Sequence, residues 1–421
     1  MSVENGKAVL VLGGGIAGMT AAIESAEAGC DVVLVERAPH LGGRVARMNQ
    51  YFPKLCPPAC GLEINFRRIK NNPRITVLTM ADLEKLTGSP GDYEAVIRLS
   101  PRCVTEACTL CGDCGRVCPS ERQDDFNYGL STTKAAYLPY ASAFPARYVI
   151  DRSACDKTCS ACLDACKYGA VHLSQQAERR TFRVAAVIAA TGWAPYDAGK
   201  LDNLGHGKCA NVVTNVVMER LAAPDGPTHG KILRPSDGQP PAEVGFVQCA
   251  GSRDENHLPY CSAVCCSASL KQATYVRSQC PDANVTVFYI DIRTPGRLED
   301  FYSKVAGDAK IEFIKGKAAK VEEDPATKDV IVTAEDAMSG RRVTRRVSLL
   351  VLATGIVPQT QGLPAGFVLD EFRFVCGRPE NGGFYGAGCV RRPEEVSATI
   401  QDATGAALKA LQCLARSAHH G

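Results

Sequence analysis

The stretch from Ala8 to Glu36 constrains this 421-residue chain more than any other. Ala8-Val-Leu-Val-Leu12 is an apolar run of strand length that breaks into Gly13-Gly14-Gly15-Ile16-Ala17-Gly18. A helical pattern follows to Gly29, then a second apolar strand, Val32 to Val35, closed by Glu36 and Arg37. The glycines stand at G-x-G-x-x-G spacing, and each has its own task. Gly13 makes the tight turn, Gly15 admits a pyrophosphate close to the backbone, and Gly18 lets helix and strand pack. The helix N-terminus offers free N–H groups to the phosphates, with Gly14, Ile16 and Ala17 on its approach. Glu36, with Arg37 beside it, is placed to accept hydrogen bonds from ribose hydroxyls. An ordinary tight turn explains the glycines alone; the complete strand–turn–helix–strand context favours a dinucleotide site.

Leu41-Gly42-Gly43-Arg44 follows directly. A second Gly-Gly-Arg at this distance suits the flavin side of FAD, whereas an NAD domain has no special need of it. Two later segments return to the same site. Arg183 to Ala190 reads as a buried strand ending in Thr191-Gly192, and Phe384-Tyr-Gly-Ala-Gly388-Cys389 precedes a final helix expected over 393–414. Gly-Asp is usual at the latter place in flavoproteins; here Cys389 replaces the acid.

The 21 cysteines are the compositional anomaly. No leader-like segment precedes the first strand and no run approaches eighteen apolar residues, so a cytoplasmic chain without a membrane span is expected. In that compartment the cysteines make a poor disulfide framework and a good metal-cluster inventory. A net charge of +3 singles out no acidic partner, and no nucleic acid is expected.

Between Pro101 and Leu173 the composition changes abruptly. Cys108-x2-Cys111-x2-Cys114-x3-Cys118-Pro119 has the spacing of a bacterial ferredoxin half-site. Cys155-x3-Cys159-x2-Cys162-x3-Cys166 follows, with one extra residue in its first gap and Lys167 where a proline is usual. In such pairs the fourth cysteine serves the other cluster. Cys108, Cys111, Cys114 and Cys166 are therefore assigned to one [4Fe-4S] cluster, and Cys118, Cys155, Cys159 and Cys162 to the other. Zinc is the rival for C-x2-C spacing, but two consecutive four-cysteine blocks favour iron–sulfur. Cys103 is not expected to be a ligand. The flanking strands would be neighbours in a meander, so the insert's ends emerge close together.

The second half repeats the opening pattern: a strand at Val244 to Gln248, a helix at Ser267 to Ser278, and a strand at Val285 to Ile290. A further helix is expected over Val212 to Leu221. Between the first two, where a phosphate-binding loop belongs, stand Cys249, Cys261, Cys265 and Cys266. Gly251 alone does not supply the turn that an NAD(P)H pyrophosphate needs, and four thiols at one loop suit a further iron–sulfur cluster. Tyr51 to Cys60 holds two more thiols, Cys56 and Cys60, which read equally as a redox pair, half a metal site, or cysteines without a role.

These features together resemble the A-subunit family of heterodisulfide reductases, built on a thioredoxin-reductase-like flavoprotein core. The most specific part is Gln248-Cys249-Ala-Gly-Ser-Arg253 followed by Tyr260-Cys261-Ser-Ala-Val-Cys265-Cys266. The resemblance implies a cluster near the flavin held by Cys249, Cys261, Cys265 and Cys266. It also implies an α/β fold: two Rossmann-like domains with an inserted ferredoxin-like domain carrying two [4Fe-4S] clusters. The boundaries expected are 1–100 for the first part of the FAD domain and 101–174 for the insert. Residues 175–241 complete that part and connect onward, 242–355 form the second Rossmann-like domain, and 356–421 return to the FAD domain. The archetypal family member has further N- and C-terminal domains. The compact form is similar to the branch found in the quinone-interacting membrane-bound oxidoreductase complex of sulfate-reducing bacteria. That branch implies electron flow between a menaquinone pool and adenylylsulfate reductase. The partners would be a membrane haem/quinone subunit plus a second one of flavoprotein or ferredoxin type, with this chain held peripherally at the membrane. A flavin with several cluster exits would permit electron bifurcation or confurcation. The rival readings are a self-contained NAD(P)H-dependent disulfide oxidoreductase using Cys56 and Cys60, and a scaffold with structural clusters.

Overall fold

The computed structural model describes residues 8–52, 55–377 and 382–419. Pro53 and Lys54, between Tyr51 and Cys60, lie outside the described residues. The apolar runs form two mainly parallel sheets. In the first, a strand Ala8–Leu12 lies between Asp31–Glu36 and Glu178–Ala189, with Ile75–Thr79 outside Asp31–Glu36. Asp92–Leu99 and Ala81–Ser89 extend the other edge in antiparallel fashion, and Phe384–Gly386 pairs alongside Val187 to Ala189. The Ala8–Leu12 strand is buried throughout, as expected where both faces of a parallel sheet are covered. Helices Ile16–Glu27 and Val396–His419 pack together on one face.

The second sheet runs Val212–Thr214, Leu349–Thr354, Glu243–Ala250, Asn284–Tyr289, Ile311–Lys315, all parallel. The chain crosses between the two units twice. The crossing segments, Trp193–Pro195 and Ile356–Pro358, pair with each other antiparallel.

The helix expected over Val212 to Leu221 is corrected. Val212–Thr214 is a strand, and the helix is Asn215–Ala222, its N-terminus capped by the Thr214 hydroxyl accepting from the Val217 N–H at 3.4 Å. The β-branched Val-Val-Thr finds a partner in Leu349–Thr354, and pairing overrides the helical spacing. The final helix begins at Val396, three residues beyond the expected Pro393. The strands Ala81–Ser89, Ala318–Glu323 and Arg341–Val347 carry many charged residues on solvent faces and give no apolar signal.

Leu99 pairs with Glu178 across neighbouring antiparallel strands. The intervening segment therefore leaves and re-enters the sheet at one point, and it carries its own small core around Cys103, Val104, Ala136, Ile150 and Val171. It is also fastened to the host. Phe66 stacks on Phe144, and the Leu41 N–H donates to the Phe144 carbonyl at 2.8 Å. Fully buried Arg220 donates to Asn127 Oδ1 at 2.7 Å, to the Arg47 carbonyl at 3.2 Å and to Asp225 Oδ1 at 2.9 Å, with its guanidinium 4.8 Å over the Phe126 ring. One side chain thus ties three separate segments. Substituting Arg220→Met leaves those acceptors without their donor and is expected to lower stability by roughly 2–4 kcal/mol. Urea unfolding of the variant checks this; an unchanged midpoint would contradict it.

Candidate flavin and cysteine sites

The glycine turn is held by close backbone contacts. Gly13 has φ +108°, its N–H donates to the Val35 carbonyl at 2.7 Å, and a Cβ there would collide with the Ala190 carbonyl. A Cβ on Gly18 would collide with the Gly13 carbonyl oxygen. The second glycine pair lies against the first: the Gly42 N–H donates to the Gly14 carbonyl at 2.8 Å, and a Cβ on Gly43 would lie 2.9 Å from Gly15 Cα. The helix Ile16–Glu27 starts at Gly15 with no side-chain cap, which leaves N–H groups for an anionic ligand. Glu36 accepts from the Gly14 N–H at 2.5 Å and the Ala38 N–H at 2.7 Å. Burial pushes its carboxyl upward, opposed by those two N–H groups and by Arg37. Arg37 itself pairs outward with Asp82 at 2.7 Å.

Two cavities flank this turn. The first, about 530 Å³, is bordered by Gly13, Glu36, Arg37, His40 and Thr191. His40 is buried between Phe126 and Tyr140, and burial pushes its imidazole down to about 4, so it is neutral at ordinary pH. The second, about 440 Å³, is bordered by Gly15, Ile16, Ala17, Arg44, Gly192, Trp193 and Cys389 from the first unit, and by Ala263, Val264, Ser267 and Lys271 from the second. Both volumes are those of small-molecule sites, and together they follow a dinucleotide's length past the glycines. The residues fit FAD: the turn is a cradle that side chains would fill.

Arg44 is largely buried, which lowers its pKa; it donates to the Trp193 carbonyl and to Tyr128 Oη at 3.3 Å, and lies 4.8 Å over the Trp193 ring. Opposite it, Lys271 and Glu219 form a buried ion pair at 2.9 Å. Gln272 Nε2 donates to Glu219 Oε1 at 2.7 Å, and the Asn49 N–H donates to Oε2 at 3.0 Å. Sequence reasoning missed Trp193, Tyr128, Glu219 and Lys271, since only the tertiary fold brings them to one cavity. It also missed Asp402. The returning segment lacks the usual acid after Gly388, yet the Gly388 N–H donates to Asp402 Oδ2 at 2.7 Å from the final helix, and Asp402 pairs with Arg391. Cys389 is buried, its thiol donating to the Glu394 carbonyl at 3.4 Å.

The insert's thiols fall into two neighbouring groups. Cys108, Cys111, Cys114 and Cys166 border one small cavity beneath Tyr148 and Tyr168. The thiol of Cys162 is raised by burial and by Cys155, Cys118 and Cys159 around it. Cys114 is pushed up to about 11 by burial, with Cys108, Cys111 and Cys162 adding to it. Cys103 is fully buried in the insert's core, in the same packed cluster as Cys114, Cys118 and Cys162.

In the second unit, Cys249 stands next to last in its strand with φ +55°, and Cys265 and Cys266 open the helix Cys265–Gln279. Burial pushes Cys265 well up, and Cys249, Cys266 and Cys261 push the same way; burial also raises Cys249 to about 11. Four thiols crowded and largely buried without a disulfide are a donor set suited to a metal cluster, which stabilises the thiolates that burial alone disfavours. Among the described residues no three His, Cys, Asp or Glu side chains converge tightly enough for one metal ion. The loop from Gly251 to Ser262 folds over the end of the sheet. A Cβ on Gly251 would lie 2.6 Å from the Tyr196 ring, Leu258 N–H donates to the Gly251 carbonyl at 3.0 Å, and Ser252 and Ser262 hydroxyls meet at 2.8 Å. The backbone that would approach a phosphate is covered by Tyr196. Cys56 precedes and Cys60 lies within the first turn of helix Pro58–Asn71, near Tyr51 at the second cavity's wall.

Substituting Gly18→Ala forces the helix away from Gly13 and is expected to abolish flavin retention while leaving the second unit folded. Flavin absorbance of the purified variant, with circular dichroism as the folding control, checks this.

A sequence-family model described as FAD dependent oxidoreductase matches residues 8–53. The iron-sulfur A-subunit of the CoB–CoM heterodisulfide reductase of Methanocaldococcus jannaschii is 37% identical over 96% of this chain and 64% of its own length. The A-subunit of the H2:CoB-CoM heterodisulfide,ferredoxin reductase of Methanothermobacter marburgensis is 35% identical over 95% of this chain and 63% of its own. The chain thus spans a little under two thirds of these relatives. Among solved structures, the thioredoxin reductases of Lactococcus lactis (TM-score 0.55, 13% identity, 97% of this chain and 99% of that one) and T. acidophilum (TM-score 0.53, 16% identity, 96% of each) share the fold. The α/β architecture with its two Rossmann-like sheets is therefore of thioredoxin-reductase type, and over nearly its whole length the chain is similar to heterodisulfide reductase A-subunits, with an opening segment that matches FAD-dependent oxidoreductases.

Proposed function

We propose that this chain is the FAD- and iron–sulfur-containing electron-transfer subunit of a heterodisulfide-reductase-like complex. One observation carries the reading. The helix Cys265–Gln279 bears two of the four thiols at its start and borders the flavin-end cavity with Ser267, Ala268 and Lys271 one turn further on. Where a nicotinamide dinucleotide would deliver hydride, the chain offers thiols instead. FAD would supply two-electron chemistry, and each cluster would pass single electrons.

The protein's part is binding and electrostatics. Gly13, Gly15 and Gly18 admit the pyrophosphate, Glu36 holds the turn and faces the ribose end, and Gly42, Gly43 and Arg44 close the flavin side. The N–H groups of Gly14 and Ala38 keep Glu36 aligned despite its burial. Lys271 places a desolvated cation, neutralised by Glu219, at the flavin-end wall. In the insert, the Ala170 N–H donates to Cys166 Sγ at 3.3 Å, a bond that favours the thiolate.

In its finer form the proposal connects a menaquinone pool to adenylylsulfate reductase, with a second flavoprotein or ferredoxin-type partner and a haem/quinone partner in the membrane. It rests on the resemblance to the compact branch of the family. Among the described residues no helix is long and apolar enough to cross a membrane, and the proposal gives quinone chemistry to a partner.

Cys265→Ser in the anaerobically purified chain is expected to retain FAD and lose about four irons per flavin, one cluster's worth. Unchanged iron would remove these thiols from the ligand set. NAD(P)H added anaerobically is expected to leave the flavin oxidised; rapid bleaching would favour the self-contained reductase built on Cys56 and Cys60.

A further inference from the structure

Two arginines close over the thiols of Cys249, Cys261, Cys265 and Cys266. Arg253 lies four residues beyond Cys249, and its cation favours the Cys249 thiolate against the effect of burial. The Arg253 backbone is left-handed at φ +54° and fixed by its N–H donating to the Tyr260 carbonyl at 3.0 Å. Arg293 follows the strand Asn284–Tyr289 and donates its backbone N–H to Cys266 Sγ at 3.4 Å, and Cys261 adds to the stabilisation of its charge. Asp291 stands between the two guanidiniums: it pairs with Arg253, and Arg293 Nε meets Oδ2 at 3.2 Å. The Asp291 carbonyl also accepts from the Cys266 thiol at 3.7 Å. Nearby, Gln248 Oε1 lies 3.4 Å from Cys266 Sγ while its buried Nε2 has no partner, so a flipped amide could donate to a thiolate there.

A non-glycine residue held left-handed costs free energy that local packing must offset. At Arg253 the conformation keeps a cation on the thiol side of the loop. Each one-electron reduction adds a negative charge to a cluster, and hydrogen bonds to its sulfurs set how readily it accepts that charge. Building on the reading of these four cysteines as ligands, we propose that Arg253 and Arg293, opposed by Asp291, form a charge clamp that raises the reduction potential of the cluster beside the flavin. No bond is made or broken; one electron enters per step, and the cations favour the reduced form. The side chains of Arg253 and Arg293 are 23% and 50% exposed, so solvent screens them and the shift is modest.

The test is an EPR-monitored redox titration of the anaerobic full-length chain, taking as the relevant signal the one that Cys265→Ser removes. Arg253→Gln and Arg293→Gln are expected to lower its midpoint, Arg253→Lys and Arg293→Lys to stay near the parent, and Asp291→Asn to raise it. Midpoints unmoved in all variants would overturn the clamp while leaving the ligand assignment standing. If the glutamine variants lose the signal altogether, Asp291→Asn decides: a raised midpoint supports the clamp and an unmoved one refutes it. A parent protein with no Cys265-dependent signal would refute both the ligand assignment and the clamp.

Discussion

The architecture of the first unit depends on one backbone contact, Gly18 against the Gly13 carbonyl. It brings the start of the helix Ile16–Glu27 so near the strand end that only hydrogen fits between them. Everything that surrounds the turn is built to that separation. Gly43 lies on Gly15, and Gly388 packs where a Cβ would meet Ala17 at 2.9 Å. Segments from three distant parts of the chain thus converge where side chains have been removed and backbone N–H groups remain. Such a convergence has no packing rationale of its own, because glycines bury no apolar area. It makes sense as a surface shaped to a ligand rich in acceptor oxygens.

The second unit repeats the strand–loop–helix order with the opposite chemistry. Gly251 is again left-handed, yet its open face is filled by Tyr196, and the following residues knot themselves over the sheet through Ser252 and Ser262. The helix that would have presented N–H groups to a pyrophosphate instead presents Cys265 and Cys266. Both units place their chemistry at the carboxyl ends of parallel strands, as open α/β sheets do. The shared flavin-end cavity lies where those two ends face each other.

Much of this was legible in the chain before folding. Buried parallel strands announce themselves as unbroken apolar runs, and glycine and cysteine spacings carry their own geometry. What escaped did so for physical reasons. Val212–Thr214 looks helical until Leu349–Thr354 arrives beside it, and the charged strands from Ala318 to Val347 keep one face in water. Trp193, Glu219 and Lys271 are unremarkable in their own neighbourhoods and meet only through contacts between the units. Asp402 shows the same limit: its bond to the Gly388 N–H comes from the following helix, and no local pattern reports such a contact.

The insert does more than carry thiols, because Arg122, Phe126 and Tyr137 wall the cavity beside Glu36 while Tyr128 reaches the one beside Arg44. Ligand binding and the folding of that segment are therefore linked equilibria. A dinucleotide that binds only the docked arrangement draws the insert onto the host sheet, and the docked insert repays it by slowing ligand escape. Under such coupling, a chain with both walls assembled would hold a dinucleotide more firmly than one whose insert is undocked.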